Sequence, residues 1–179
     1  MTTAALQNAF EVLVEEHKRI LYKISHAYCR NPDDRDDLVQ EMAVQLWRSF
    51  PSFDGRCRFS TWMYRVALNV AISFWRRERT RTRHVVASGE NLLESAEAAG
   101  AENEDIRSLY RFIGDLDPLH RALALLYLDG NSYQEIAEVL GITESNVGTR
   151  IGRLKQRMKR ELGKTDEASR TVQQTGSVS

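Results

Sequence analysis

Residues 132–162 read Ser132-Tyr-Gln-Glu135-Ile-Ala-Glu-Val-Leu-Gly141-Ile-Thr143-Glu-Ser-Asn-Val147-Gly-Thr-Arg150-Ile-Gly-Arg-Leu154-Lys-Gln-Arg-Met158-Lys-Arg-Glu-Leu162. Serine with glutamate three positions on is the pattern of a capping box, so a helix begins at Ser132. Ile136 and Leu140 face its core, and Ala137 is small where a second helix must approach. Gly141 can take the left-handed conformation that ends a helix. Ile142 then plugs a tight turn, and Thr143 caps a second helix whose inner stripe is Val147, Ile151, Leu154 and Met158. Turn, caps and both apolar stripes agree on a helix-turn-helix. The outer side of the second helix carries Asn146, Arg150, Arg153 and Arg157, with Ser145 and Thr149 beside them. Short polar groups and arginines near the N-terminal half of such a helix reach base edges in the major groove. Lys155, Lys159 and Arg160 add cations for phosphates. A basic run alone reads more often as a solvated helix face; the complete turn signature tips it to DNA binding.

Working upstream, Asp117-Pro118 starts a helix carrying Leu119, Leu123, Leu126 and Tyr127, which stops at Asp129-Gly130. Ile106, Leu109, Tyr110 and Ile113 mark another before it. Residues 87–103 hold four acids, no base and no aromatic residue, the composition of a mobile linker. At the front, Leu6 to Tyr28 keep helical spacing and predict one long amphipathic helix. Asn31-Pro32-Asp33-Asp34 supplies a cap, a helix-compatible proline and first-turn acids for a helix to about Ser49, with Leu38, Met42 and Leu46 inward. Residues 51–55 form a loop. A third helix from about Ser60 buries Phe59, Met63, Val66, Val70 and Phe74 and leaves the core as the five-arginine stretch Arg76–Arg83. No alternating strand pattern of useful length occurs. The fold class is therefore all-α: two small helical domains, 1–84 and 104–163, joined by an acidic flexible linker at 85–103, with a disordered tail at 164–179.

The chain has 179 residues and no net charge, so bulk charge gives no argument for nucleic acid. Its distribution does. Residues 1–84 hold 14 Lys/Arg against 10 Asp/Glu, residues 85–117 hold 2 against 8, and residues 118–164 hold 8 against 5. Two basic blocks flank an acidic connector. No apolar run approaches the roughly 18 residues of a membrane span, so no membrane insertion is expected. The N-terminus lacks the basic and apolar regions of a secretory signal. Cys29 and Cys57 are too few for a disulfide framework or a cysteine zinc site. A cytoplasmic setting is the default. Asp37 and Glu41 stand four apart and could share a metal, but nothing resembles a zinc-protease helix, a phosphate-binding loop or a nucleophile elbow. No catalytic residue, metal or cofactor is expected.

Residues 36–50, Asp-Asp-Leu-Val-Gln-Glu-Met-Ala-Val-Gln-Leu-Trp-Arg-Ser-Phe, and 58–71, Arg-Phe-Ser-Thr-Trp-Met-Tyr-Arg-Val-Ala-Leu-Asn-Val-Ala, resemble region 2 of bacterial sigma factors. The order, region 2, short linker, then the helix-turn-helix of region 4, resembles the extracytoplasmic-function (ECF) subfamily over about residues 6–163. That resemblance implies core RNA polymerase, promoter DNA and an anti-sigma factor as partners. It implies polymerase docking by Asp37, Leu38, Gln40 and Glu41, with Trp47 as apolar neighbour. It implies −10 element binding by Phe53, Trp62, Arg65, Asn69, Arg76 and Arg77, with Phe53 and Asn69 at a flipped-base pocket. It assigns the −35 element to Ser145, Asn146, Thr149, Arg150, Arg153 and Arg157. The runner-up is a stand-alone helix-turn-helix regulator that binds operators without polymerase.

Two features depart from the family pattern. Arg56-Cys57-Arg58 closes the loop with basic residues, and Gly148 and Gly152 fall inside the second helix of the turn motif. Each interior glycine costs about 0.5–1 kcal/mol relative to alanine, which predicts a helix that firms up only on DNA.

Overall fold

The computed structural model describes residues 3–84 and 104–175; the expected linker at 85–103 lies outside them. The front block comprises α1 (Thr3–His17), α2 (Arg19–Tyr28), α3 (Pro32–Ser49), a single 3-10 turn at Phe50–Ser52 and α4 (Phe59–His84). The back block comprises α5 (Glu104–Gly114), α6 (Pro118–Leu128), α7 (Tyr133–Leu140) and α8 (Glu144–Thr175). No strand occurs among the described residues, and the fold is all-α.

The starts of the helices follow the local chemistry. The Asn31 side chain accepts from the Asp33 amide at 2.9 Å, with Pro32 opening α3. Asp117 does the same for α6, accepting from the amides of Leu119 and His120. α2, α3 and α4 pack around Ile24, Leu38, Met42, Leu46 and Met63, all fully buried. α6, α7 and α8 close around Leu123, Leu126, Ile136, Val147 and Ile151. Each such side chain contributes about 1.5–3 kcal/mol by leaving water, the term that offsets chain entropy in both cores.

Two sequence expectations about elements need correction. The front helix is not continuous: its ladder is interrupted at Lys18, whose backbone stays right-handed helical (φ −54°, ψ −27°). His17 Nδ1, at the end of α1, lies 2.9 Å from the Leu13 carbonyl oxygen. At the other end, α8 runs to Thr175, so residues 164–175 are helical where a disordered tail was expected. Lys164–Thr175 contains neither glycine nor proline, so nothing local stops the helix. α8 passes unbroken through Gly148 and Gly152. Val147, Ile151 and Leu154, all buried, anchor that stretch and outweigh the glycine cost.

Two buried arginines also shape the fold. Arg35 donates through Nε to the Cys29 carbonyl (3.1 Å) and through Nη2 to the Arg30 carbonyl (2.8 Å), holding the end of α2 against α3. Arg121 donates to the carbonyls of Gly114 (2.6 Å) and Leu116 (2.9 Å), closing the α5–α6 turn, and its guanidinium lies 5.1 Å from the Tyr28 ring centroid. That last contact crosses between blocks. So do a hydrogen bond from the Tyr28 hydroxyl to the Pro118 carbonyl (2.6 Å), an Arg30–Asp115 pair (3.7 Å) and an Arg58–Glu135 pair. Asp129 is paired with both Lys23 and Tyr64. The blocks pack directly on each other.

Candidate nucleic-acid and polymerase interfaces

The turn motif is built as its residues require. The Ser132 hydroxyl accepts from the Glu135 amide (3.2 Å) while Glu135 Oε2 accepts from the Ser132 amide (2.8 Å), a complete capping box. The Ser132 amide holds the Glu135 carboxyl below the usual glutamate range against the opposing effect of desolvation, helped by the Ser132 hydroxyl and Arg58. Gly141 takes φ +67°, ψ 32°, and its N–H donates to the Ala137 carbonyl at 2.9 Å. The Thr143 hydroxyl then accepts from the Asn146 amide at 3.2 Å and starts α8.

On α8 the inner stripe is Val147, Ile151 and Leu154, with Met158 half-buried. Ser145, Thr149 and Arg153 are exposed, and Asn146, Arg150 and Arg157 half-exposed. Arg150 Nε donates to Asn146 Oδ1 at 2.6 Å, so amide and guanidinium are held as one polar unit. Arg157 is turned back on the helix, donating to Glu161 at 2.7 Å, with its guanidinium 5.6 Å from the Phe112 ring centroid. Lys155 lies 4.6 Å from the Tyr127 ring centroid, on the side facing α6. One neighbour escapes sequence reading: the Tyr133 ring passes 3.6 Å from where a Cβ on Gly148 would stand. A Cβ there would stand in ordinary van der Waals contact with the ring.

The α3 surface divides. Asp37 and Gln40 are exposed, Glu41 is half-buried, and Trp47 is 37% exposed, its ring centroid 5.1 Å from that of Phe10 in a T-shaped arrangement. Val44, which the sequence reading passes over, is exposed between Gln40 and Trp47 on the same face. Leu38 requires a correction: it is 0% exposed, inside the α2–α3–α4 core, and presents nothing to a partner. Its role is to seat the helix that carries the others.

The loop before α4 holds an Asp54 side chain accepting from the Arg56 amide at 3.1 Å and a left-handed Gly55 at φ 73°. Phe53 is half-buried among rings, 5.2 Å from Trp62 and 5.6 Å from Phe59. Trp62 is the second correction: at 5% exposure it belongs to that cluster and stacks on no solvent-side base. Arg65, Asn69 and Arg76 stand exposed along α4. Arg77 donates to Glu41 Oε2 at 2.6 Å, which joins the expected polymerase surface to the expected −10 surface through one ion pair. Among the described residues no group of three His, Cys, Asp or Glu side chains is placed to hold a metal ion.

Residues 13–81 match the profile of Sigma-70 region 2, and residues 106–158 match that of Sigma-70, region 4. The ECF RNA polymerase sigma-E factor of Escherichia coli K12 is 32% identical over 162 residues, spanning 84% of each chain. The chain belongs to the ECF RNA polymerase sigma factors. The ECF sigma factor SigW of Bacillus subtilis is 28% identical over 87% of this sigma factor and 90% of its own length. Among solved structures, CnrH in complex with the cytosolic domain of CnrY superposes with a TM-score of 0.64 at 28% identity, covering 88% of this chain and 89% of that one. The sigma factor RpoE of Bartonella quintana, in complex with the anti-sigma factor NepR, gives 0.63 at 18% identity, over 88% and 96% of the two chains, and speaks for the fold. No helix among the described residues of this sigma factor is long and apolar enough to cross a membrane.

Proposed function

We propose that this sigma factor binds core RNA polymerase and directs it to promoters by recognising a −10 element with residues 1–84 and a −35 element with residues 104–163. The observation that carries the reading is the turn motif. Its capping box, left-handed Gly141 and Thr143 cap aim the start of α8 outward, with Ser145, Asn146, Thr149, Arg150 and Arg153 on the open side. Asn146 and Arg150, held together, offer a donor–acceptor pair to base edges, and Arg153 offers a cation to a phosphate. On α3, Asp37, Gln40, Glu41 and Trp47 supply hydrogen-bonding groups around an apolar edge, the composition of a docking patch. On α4, Arg65, Asn69, Arg76 and Arg77 line a path for single-stranded DNA, with Phe53 and Asn69 receiving a flipped base. The protein carries out no bond chemistry; polymerase makes the phosphodiester bond, in the cytoplasm. The Bartonella RpoE is seen with an anti-sigma factor and CnrH with the cytosolic domain of CnrY, and an anti-sigma factor is the corresponding partner here.

The test is run-off transcription by core polymerase on a randomised promoter library, with and without the protein. A sigma factor associates with core polymerase before any DNA is added and yields transcripts from an enriched pair of motifs. A chain that binds duplex DNA yet neither associates with core nor starts RNA synthesis is a stand-alone regulator, and the reading fails.

A further inference from the structure

We propose that the Asp129 carboxylate is the keystone of a clasp that shuts the free sigma factor, and that opening this clasp precedes occupation of a promoter. The proposal rests on the sigma reading above for its consequence, but its geometry stands apart. Asp129 lies just past α6, in the turn that leads into the DNA-reading motif. Its Oδ1 accepts from Lys23 of α2 and its Oδ2 from the Tyr64 hydroxyl of α4. One carboxylate thus ties two helices of the front block to the back block, and its side chain is only 20% exposed. Tyr64 is 2% exposed and Tyr28 6%. Each of these buried hydroxyls donates across the interface, to Asp129 and to the Pro118 carbonyl, and Arg121 covers the Tyr28 ring. Closure takes these hydroxyls out of water and the bonds offset that cost, so removing an acceptor penalises the closed form. The Arg30–Asp115 and Arg58–Glu135 pairs lie at the exposed rim, where ion pairs contribute little.

Dimensions make closure and promoter binding incompatible. A packed chain of this length has a radius of gyration of about 16 Å and spans roughly 40 Å. Elements centred at −10 and −35 lie about 25 base pairs apart, roughly 85 Å of duplex at ~3.4 Å per base pair. The closed form cannot reach both. The 19 residues from 85 to 103 reach at most about 65 Å, enough to let the blocks separate while joined.

The experiment compares the full chain with Asp129→Ala, Tyr64→Phe and the exchange Lys23→Asp with Asp129→Lys. Small-angle scattering of each protein alone gives compactness, circular dichroism gives helicity, and footprinting with core polymerase gives the rate of promoter-complex formation. Loss of a charge-assisted hydrogen bond shifts the closed-to-open ratio roughly tenfold or more. Asp129→Ala therefore expands at unchanged helicity and forms promoter complexes severalfold faster. Tyr64→Phe expands less, and the exchange, which restores the ion pair but not the acceptor for the Tyr64 hydroxyl, is more compact than Asp129→Ala. Asp129→Ala or Tyr64→Phe scattering like the parent chain, or an exchange variant as expanded as Asp129→Ala, overturns the clasp. Expansion with no gain in complex formation overturns the gate. If the parent chain binds no core polymerase, the sigma reading fails, while scattering still decides whether Asp129 closes the molecule.

Discussion

Replacing Gly141 by alanine isolates one backbone angle. Gly141 sits at φ +67°, and no heavy atom beyond its chain neighbours lies within 4 Å of where a Cβ would stand. The added methyl meets nothing, so the cost is that of holding an L-residue left-handed, about 1–2 kcal/mol. Alanine also narrows the unfolded ensemble, which returns roughly 0.4–1 kcal/mol. The net loss is about 1 kcal/mol, a fall in Tm of roughly 2–4 °C for a chain of this size. Gly141→Asn pays less, because asparagine visits the left-handed region more readily. Thermal unfolding followed by circular dichroism, with urea midpoints as a check, measures both variants. Asparagine as harmful as alanine, or an alanine variant as stable as the parent, would refute the claim that φ alone decides this position.

Leu38→Ala, in a fully buried site, should lower stability by about 2–5 kcal/mol in urea unfolding, whereas Gln40→Ala with Glu41→Ala should leave stability nearly intact and weaken core-polymerase binding in a pull-down. Arg153→Ala should weaken −35 duplex binding and reduce the slope of log affinity against log salt by about one counterion; an unchanged slope removes its phosphate role. Because the folded Glu135 carboxyl lies below its unfolded value, its contribution to stability is complete above the ordinary glutamate range and lost as pH falls through the folded value. Glu135→Gln should therefore flatten the acid limb of a stability-versus-pH curve, and a curve of unchanged steepness would locate that limb elsewhere.

What the sequence makes legible is local. The caps at Asn31, Asp117, Ser132 and Thr143 act within three residues of themselves, and each stands where its side chain places it. Leu38 shows a conflict between two kinds of sequence evidence. Its place in the 38–42–46 stripe puts it inside, the family resemblance puts it on the docking face, and the stripe prevails. Trp62 falls to a cluster of four rings, two of them contributed by the 3-10 turn and the loop, whose path no periodicity reveals. The break at Lys18 is invisible because apolar spacing continues across it. The contacts of Tyr28 and Tyr64 join residues 90 and 65 positions apart, and no local pattern marks a hydroxyl that will find its acceptor in the other block.

With Glu41 on the proposed polymerase face and Arg77 on the proposed −10 face, the ion pair between them would couple two binding events that are otherwise independent. A protein ligand that draws on the glutamate releases the arginine for the nucleic-acid backbone, and a phosphate that draws on the arginine releases the glutamate. Thermodynamic reciprocity makes the two effects equal in size. For a pair this exposed the coupling is at most about 1 kcal/mol, roughly fivefold in affinity. Even so, under the proposed roles it would bias the chain toward binding DNA in the company of polymerase.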